Sequence, residues 1–113
     1  MELKSYQEDR FYIIALTGDL DAGSSISLDN ALEEAIKAKK KQILIDCQGL
    51  NYISSPGIGV LTSRLEDCES TDTTIVLYAM SEKIYNVFTI LGLDQVLPIK
   101  KSKEDAKLFS NDI

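Results

Sequence analysis

At 113 residues, with 44% hydrophobic and 27% charged residues, the chain has the size and balance of one globular domain. A net charge of −6 excludes a general attraction to nucleic acid or to an anionic membrane, and favours a basic protein surface as partner. Histidine is absent and the two cysteines, Cys47 and Cys68, match no metal or redox spacing. No metal or cofactor is therefore expected, and both thiols read as small core hydrophobes of a reducing cytoplasm. The opening MELKSYQEDR is too charged for a signal peptide, and no apolar run reaches membrane-span length, so membrane insertion is not expected.

In chain order, Leu3 to Gln7 reads as a weak strand that turns through Glu8-Asp9 onto the apolar run Phe11 to Leu16. That run is a central strand, stopped by Thr17-Gly18. Leu28, Ala31, Leu32, Ala35 and Ile36 repeat at helical spacing, with serines before them and Lys37, Lys39, Lys40 and Lys41 after. The pattern predicts a helix from about Ser24 to Lys39. Ile43 to Ile45 is a short buried strand ending near Asp46, followed by a loop through Gly49 and Tyr52. Ile58, Leu61, Leu65 and Cys68 mark one face of a second helix ending near Glu69. Ile75 to Tyr78 is a third core strand, and Tyr52 and Tyr78 read as packing residues with a polar tip. Ser81 caps a third helix with Ile84, Val87, Phe88 and Leu91 on its inner face and Gly92 at its end. Val96 to Ile99 and Ser102 to Phe109 complete the series as a strand and a short helix. The order β-β-α-β-α-β-α-β-α specifies an α/β fold as a single domain over residues 1–113. Its sheet is mostly parallel, with four to five strands, an N-terminal antiparallel hairpin and about four flanking helices.

The chemistry concentrates in YISSPGIGVL, Tyr52 to Leu61. Pro56 suits the first helical position, which makes Ser55 the N-cap. A hydroxyl there meets unpaired N–H groups and the positive end of the helix dipole, a setting that tolerates a phosphate, bound or attached. Capping alone also accounts for a serine at this point. Gly57 and Gly59 either admit a partner backbone or relieve crowding where the helix meets the sheet, and the exposed Thr62, Ser63 and Arg64 either dock a partner or are solvated. Asp19 and Asp21 satisfy loop N–H groups or start the first helix. Neither GxxxxGK[ST] nor GxGxxG occurs. A phospho-aspartate receiver built on Asp46 lacks the acidic cluster and the lysine it needs, since the neighbouring strands end in Thr17-Gly18-Asp19 and Tyr78-Ala79-Met80. With no activated nucleophile in view, the chain is not expected to be an enzyme.

Three pieces, LTGDLD at Leu16 to Asp21, LIDCQGLNYISSPGIGVL at Leu44 to Leu61 and ILGLDQVLPI at Ile90 to Ile99, make the chain resemble a STAS domain, and within that family the bacterial anti-sigma factor antagonists. The resemblance implies a non-enzymatic, cytoplasmic switch. Its unphosphorylated form binds a partner that is both anti-sigma factor and serine protein kinase, freeing a sigma factor; its phosphorylated form lets go, and a serine phosphatase is a further implied partner. On the family pattern Ser55 falls on the phosphoacceptor, Ser54 replaces the usual aspartate and becomes a second candidate acceptor, and Pro56 replaces a small polar residue. Gly57, Ile58 and Gly59 keep to the pattern, and Asp21 matches an aspartate near the acceptor. Two other readings stay open: a STAS subunit of a transporter or signalling assembly that is never phosphorylated, and a nucleotide-binding STAS module using the helix N-terminus as an anion site.

Overall fold

A computed structural model describes residues 1–111. The elements are β1 (Glu2–Glu8), β2 (Phe11–Leu20), α1 (Ala22–Lys37), β3 (Gln42–Ile53), α2 (Ser55–Ser70), β4 (Thr74–Tyr78), α3 (Glu82–Ile90), a 3-10 turn (Leu93–Gln95), β5 (Ile99–Lys100) and α4 (Lys103–Asn111). Among the described residues they form one five-stranded sheet in the order β1-β2-β3-β4-β5. β1 runs antiparallel to β2 and every other neighbour pair is parallel, so the expected α/β class and element order are those observed.

The apolar runs follow from burial on both sides. Ile14, Leu16, Ile43, Ile45, Ile75 and Leu77 face a core closed by Leu28 and Leu32 of α1, Leu61 of α2, and Ile84 and Phe88 of α3. Phe11, Ile13, Leu44, Val76 and Tyr78 face the other way, under Ala106 and Phe109 of α4. A strand covered on both faces loses the alternation of polar and apolar residues and reads as a continuous hydrophobic segment. Cys47 and Cys68 sit in the first core, where burial pushes their thiols up to about 12 and about 11. Neither ionises near neutral pH.

The strand boundaries differ from expectation for a specific reason. β2 does not stop at Thr17-Gly18 and β3 does not stop near Asp46; both continue, to Leu20 and Ile53. The pairing steps from Ala15 with Asp46 to Thr17 with Gly49, and from Gly18 with Leu50 to Asp19 with Tyr52. Each step gives β3 one residue more than β2, which is a bulge. Inward residues of β3 therefore fall at Cys47, Leu50 and Ile53, a spacing of three that breaks the two-residue period of a regular strand. Glycine makes the close passage possible: a Cβ on Gly49 would lie 2.9 Å from Thr17 Oγ1 and 3.1 Å from the Leu16 carbonyl oxygen. Gly18, the next residue of β2 and opposite Leu50, has φ +99°, a conformation that disfavours a side chain.

Smaller differences have local causes. The hairpin turns at Asp9-Arg10, because Glu8 still pairs with Phe11 and Asp9 takes the left-handed φ of 56°. α1 begins at Ala22 rather than near Ser24, since Asp21 provides the cap. Leu91 lies past the end of α3 and is 56% exposed instead of facing the core. Val96 is exposed as well, because the backbone there closes the 3-10 turn and only Ile99 and Lys100 join the sheet. Tyr78 is buried as expected, whereas Tyr52 is half exposed at the end of β3.

Replacing Gly49 by Ala should lower unfolding free energy by about 1–3 kcal/mol, since the neighbours at the bulge are largely backbone and cannot yield cheaply. Chemical denaturation measures this; an unchanged midpoint would mean that the two strands separate before Gly49.

Candidate functional site

The site is built where β2 and β3 end together. Leu20 pairs with Ile53, and the Ser54 N–H donates to the Leu20 carbonyl at 2.9 Å, extending the ladder by one bond. The next residue after each strand caps a helix, Asp21 for α1 and Ser54 for α2. Two helix N-termini therefore open from neighbouring parallel strands on the carboxyl edge of the sheet, with no intervening loop.

The two caps are chemically different. Asp21 Oδ1 accepts the Ser24 N–H at 2.9 Å, and Ser24 Oγ accepts the Asp21 N–H at 2.9 Å, a reciprocal capping box. The Ser24 N–H and then its hydroxyl hold the Asp21 carboxyl below the usual aspartate range. At α2 the cap is neutral: Ser54 Oγ accepts the Gly57 N–H at 3.2 Å. No acidic residue stands in the first turn of α2, so the positive end of its dipole is uncompensated there.

This corrects the expectation for Ser55 and Pro56. Ser55 is the first helical residue and Pro56 the second, because β3 runs one step further and leaves Ser54 extended at φ −89° and ψ 166°. Proline is accommodated within the first turn, whose N–H groups lack intrahelical partners. The exchange separates the two serines by exposure: Ser54 is buried with its hydroxyl engaged, and Ser55 is exposed. Pro56 is exposed beside it, Ile58 is half buried against the core with its N–H on the Ser54 carbonyl at 3.0 Å, and Gly59 is exposed. Among the described residues no hydrogen bond joins Asp21 to Ser55, so the two residues meet through the strand ends rather than directly.

The two glycines part company. A Cβ on Gly57 would stand 2.9 Å from both Cγ and Cδ2 of Leu20, so this glycine lets the first turn of α2 seat on the end of β2. Around Gly59 nothing lies within 4 Å, and packing gives no reason for a glycine there.

Arg64 is not a free surface cation. Its Nε reaches Asp29 Oδ1 at 2.7 Å, Nη2 reaches Glu33 Oε2 at 3.1 Å and Nη1 reaches Asp67 Oδ2 at 3.0 Å. Asp29 first, opposed by partial burial, raises its already high pKa, and one guanidinium thus fastens α1 to α2. The signal was available in the run of acids on α1, but not the distance across which they meet Arg64. Thr62 turns its hydroxyl back onto the Ile58 and Gly59 carbonyls at 3.2 and 3.1 Å, leaving Ser63 exposed. Among the described residues no group of three or more His, Cys, Asp or Glu is placed to hold a metal ion, and no helix is long and apolar enough to cross a membrane.

A five-stranded mixed sheet with one antiparallel edge strand and four helices is the architecture of a STAS fold. The STAS domain family model matches residues 2–106, and the chain belongs to that family. It is similar to the anti-sigma-B factor antagonist of Listeria monocytogenes, at 28% identity over 101 residues covering 88% of this chain and 87% of the relative. In fold it matches a crystal structure described as a putative anti-sigma factor antagonist from Thermotoga maritima, with TM-score 0.89, 17% identity, and 96% and 94% of the two chains covered. It also matches the anti-sigma factor antagonist SpoIIAA. The unphosphorylated form gives TM-score 0.76 and 21% identity over 99% and 100% of the two chains, and the phosphorylated form gives 0.74 and 21% over 93% and 96%.

Three outcomes are expected of this geometry. Ser54→Ala should cost about 1 kcal/mol in denaturant unfolding, the usual loss of a cap. Gly59→Ala should gain about 0.5–1 kcal/mol, because an alanine fits open space on an exposed helix. The carboxyl of Asp21, followed by carbon NMR, should titrate below the ordinary aspartate value. Its capping contribution is present above the unfolded pKa and lost as pH falls through the depressed folded one. A normal Asp21 midpoint would mean the capping box does not persist in solution.

Proposed function

We propose that the protein is an anti-sigma factor antagonist whose binding is switched by phosphorylation of Ser55. Unmodified, it binds an anti-sigma factor that is also a serine kinase and so frees a sigma factor; phosphorylated, it releases that partner; a serine phosphatase resets it. The observation that carries the reading is the division of labour between adjacent serines. Ser54 is buried and holds Gly57, while Ser55 stands exposed at the uncompensated start of α2. A kinase can reach Ser55 without dismantling the cap, and modification of Ser54 would remove it. The family membership and the names of the relatives support the same assignment.

Phosphorylation adds about two negative charges and three acceptor oxygens at that point. The first turn of α2 tolerates them, having no acid of its own, whereas a partner surface fitted to a neutral hydroxyl does not. The exposed Ser55, Pro56 and Gly59 form the part of the docking face nearest the charge, with Asp21 beside it at the start of α1. Gly57 and Ile58 act from behind by seating the helix.

A nucleotide cradle at the same place is less well supported. Pro56 has no N–H, the Gly57 N–H is taken by Ser54 Oγ and the Ile58 N–H by the Ser54 carbonyl. Among first-turn amides that leaves Ser55 alone without a partner among the described residues.

Incubation with ATP and the candidate kinase should add one phosphate by mass spectrometry, retained in Ser54→Ala and lost in Ser55→Ala. Ser55→Asp should weaken binding of that kinase on the order of a hundredfold, equivalent to about 3 kcal/mol. A chain that stays unmodified yet forms a stable complex would instead be a constitutive STAS subunit.

A further inference from the structure

A second cleft lies on the same edge of the sheet, beyond β4 and β5. These strands are parallel neighbours, with Leu77 opposite Ile99 and Tyr78 opposite Lys100. Past them the chain departs in opposite directions. α3 carries Ile84 and Phe88 onto the face of Ile75 and Leu77, and α4 carries Ala106 onto the face of Val76 and Tyr78. Where adjacent parallel strands feed helices on opposite faces, a crevice opens outside their carboxyl ends, and open α/β sheets take ligands at that point. Here the crevice measures about 490 Å³ and is lined by Met80, Glu82, Tyr85, Ile99, Lys100 and Lys101. That volume falls in the range of small-molecule sites, roughly 300–1,000 Å³.

The lining combines an apolar wall with positive charge. Met80, Ile99 and the ring of Tyr85 supply the wall. Two other lysines near this end of the chain, Lys103 and Lys107, are paired with Glu8. Lys100 and Lys101 have no carboxylate partner among the described residues; the Lys100 ammonium lies 4.4 Å from the centroid of the Phe109 ring, on the α4 face of the sheet, which leaves Lys101 as the cation of the cleft. In a chain of net charge −6, a lysine without an acid partner beside an apolar wall is a local point of positive charge. Glu82 is the lone acid of the lining.

The backbone at the cleft is also constrained. Ala79, between the end of β4 and Met80, holds φ 62°, and its N–H donates to the Lys100 carbonyl at 3.1 Å. That bond ties the exit of β4 to the end of β5 and so fixes the floor of the cleft.

The geometry points to a binding site for a small anion that carries a flat apolar group, its ring against Met80, Tyr85 and Ile99 and its charge toward Lys101. The site is separate from Ser55, which follows β3, and does not depend on the switch proposed above. An open cleft of this kind binds a fragment weakly, so the measurement must reach millimolar concentrations.

The test is a titration of the nitrogen-15-labelled full chain with phenyl phosphate, and in parallel with phenol and with inorganic phosphate. Phenyl phosphate should shift the amides of Met80, Glu82, Tyr85 and Ile99 to Lys101 saturably, and each half alone should bind about tenfold more weakly. Lys101→Glu and Tyr85→Ala, both at exposed positions, should each reduce the affinity about fivefold or more at an unchanged thermal midpoint. Three results would overturn the assignment: no saturation by about 10 mM, equal response to inorganic phosphate spread over many lysines, or shifts confined to Ser55 to Gly59. None of these outcomes touches the phosphorylation of Ser55, so the two readings fail separately.

Discussion

The close approach of Gly57 to Leu20 is the constraint on which the functional end of the molecule depends. With no side chain on Gly57, the first turn of α2 rests on the last residue of β2, whose carbonyl also takes the Ser54 N–H. A helix and two strands are thereby joined at one point. Everything that distinguishes Ser54 from Ser55 follows: the turn is pressed against the sheet, one hydroxyl is enclosed and spent on the cap, and the next residue around the helix has to face solvent.

That junction exists because β3 passes two bulges without leaving the sheet. Each bulge lengthens β3 against β2 by one residue and bends the pair, so the strands finish together at Leu20 and Ile53 despite their different lengths. A common finish places the two helix starts side by side, and Arg64 then binds α2 to α1 through Asp29 and Glu33. The helices cannot easily shift relative to each other. A rigid platform suits the proposed switch, because a charge added at Ser55 would then act on a partner without a change of shape. The unlike caps contribute as well. A charged Asp21 settles the start of α1, while the neutral Ser54 leaves the first turn of α2 without a negative charge of its own.

Much of the architecture could be read from the residues alone. Runs such as Phe11 to Leu16 and Ile75 to Tyr78 show their burial directly, and Ser81 with Gly92 brackets α3 by ordinary cap chemistry. What escaped was whatever depended on two segments passing close together. Cys47, Leu50 and Ile53 face inward at a spacing that no regular strand has, so β3 looked finished at Asp46. Thr17-Gly18 looked like a stop and is instead a bulge that the strand runs through. The same cause displaced the cap from Ser55 to Ser54, since Pro56 fits either of the first two helical positions and only the length of β3 decides between them. Gly57 and Gly59 look alike in the chain, and only the position of Leu20 tells them apart.

The claim that a continuous β2–β3 ladder sets the Ser55 platform is open to a direct measurement, amide hydrogen exchange along β3 and into α2. A ladder that persists to the end predicts strong protection at Ile45 and Ser54 alike, with the Gly57 amide slowed by its bond to Ser54 Oγ. Exchange at the rate of a free peptide from Gln48 onward would contradict it, and would return Ser54 and Ser55 to a loop in which neither is fixed.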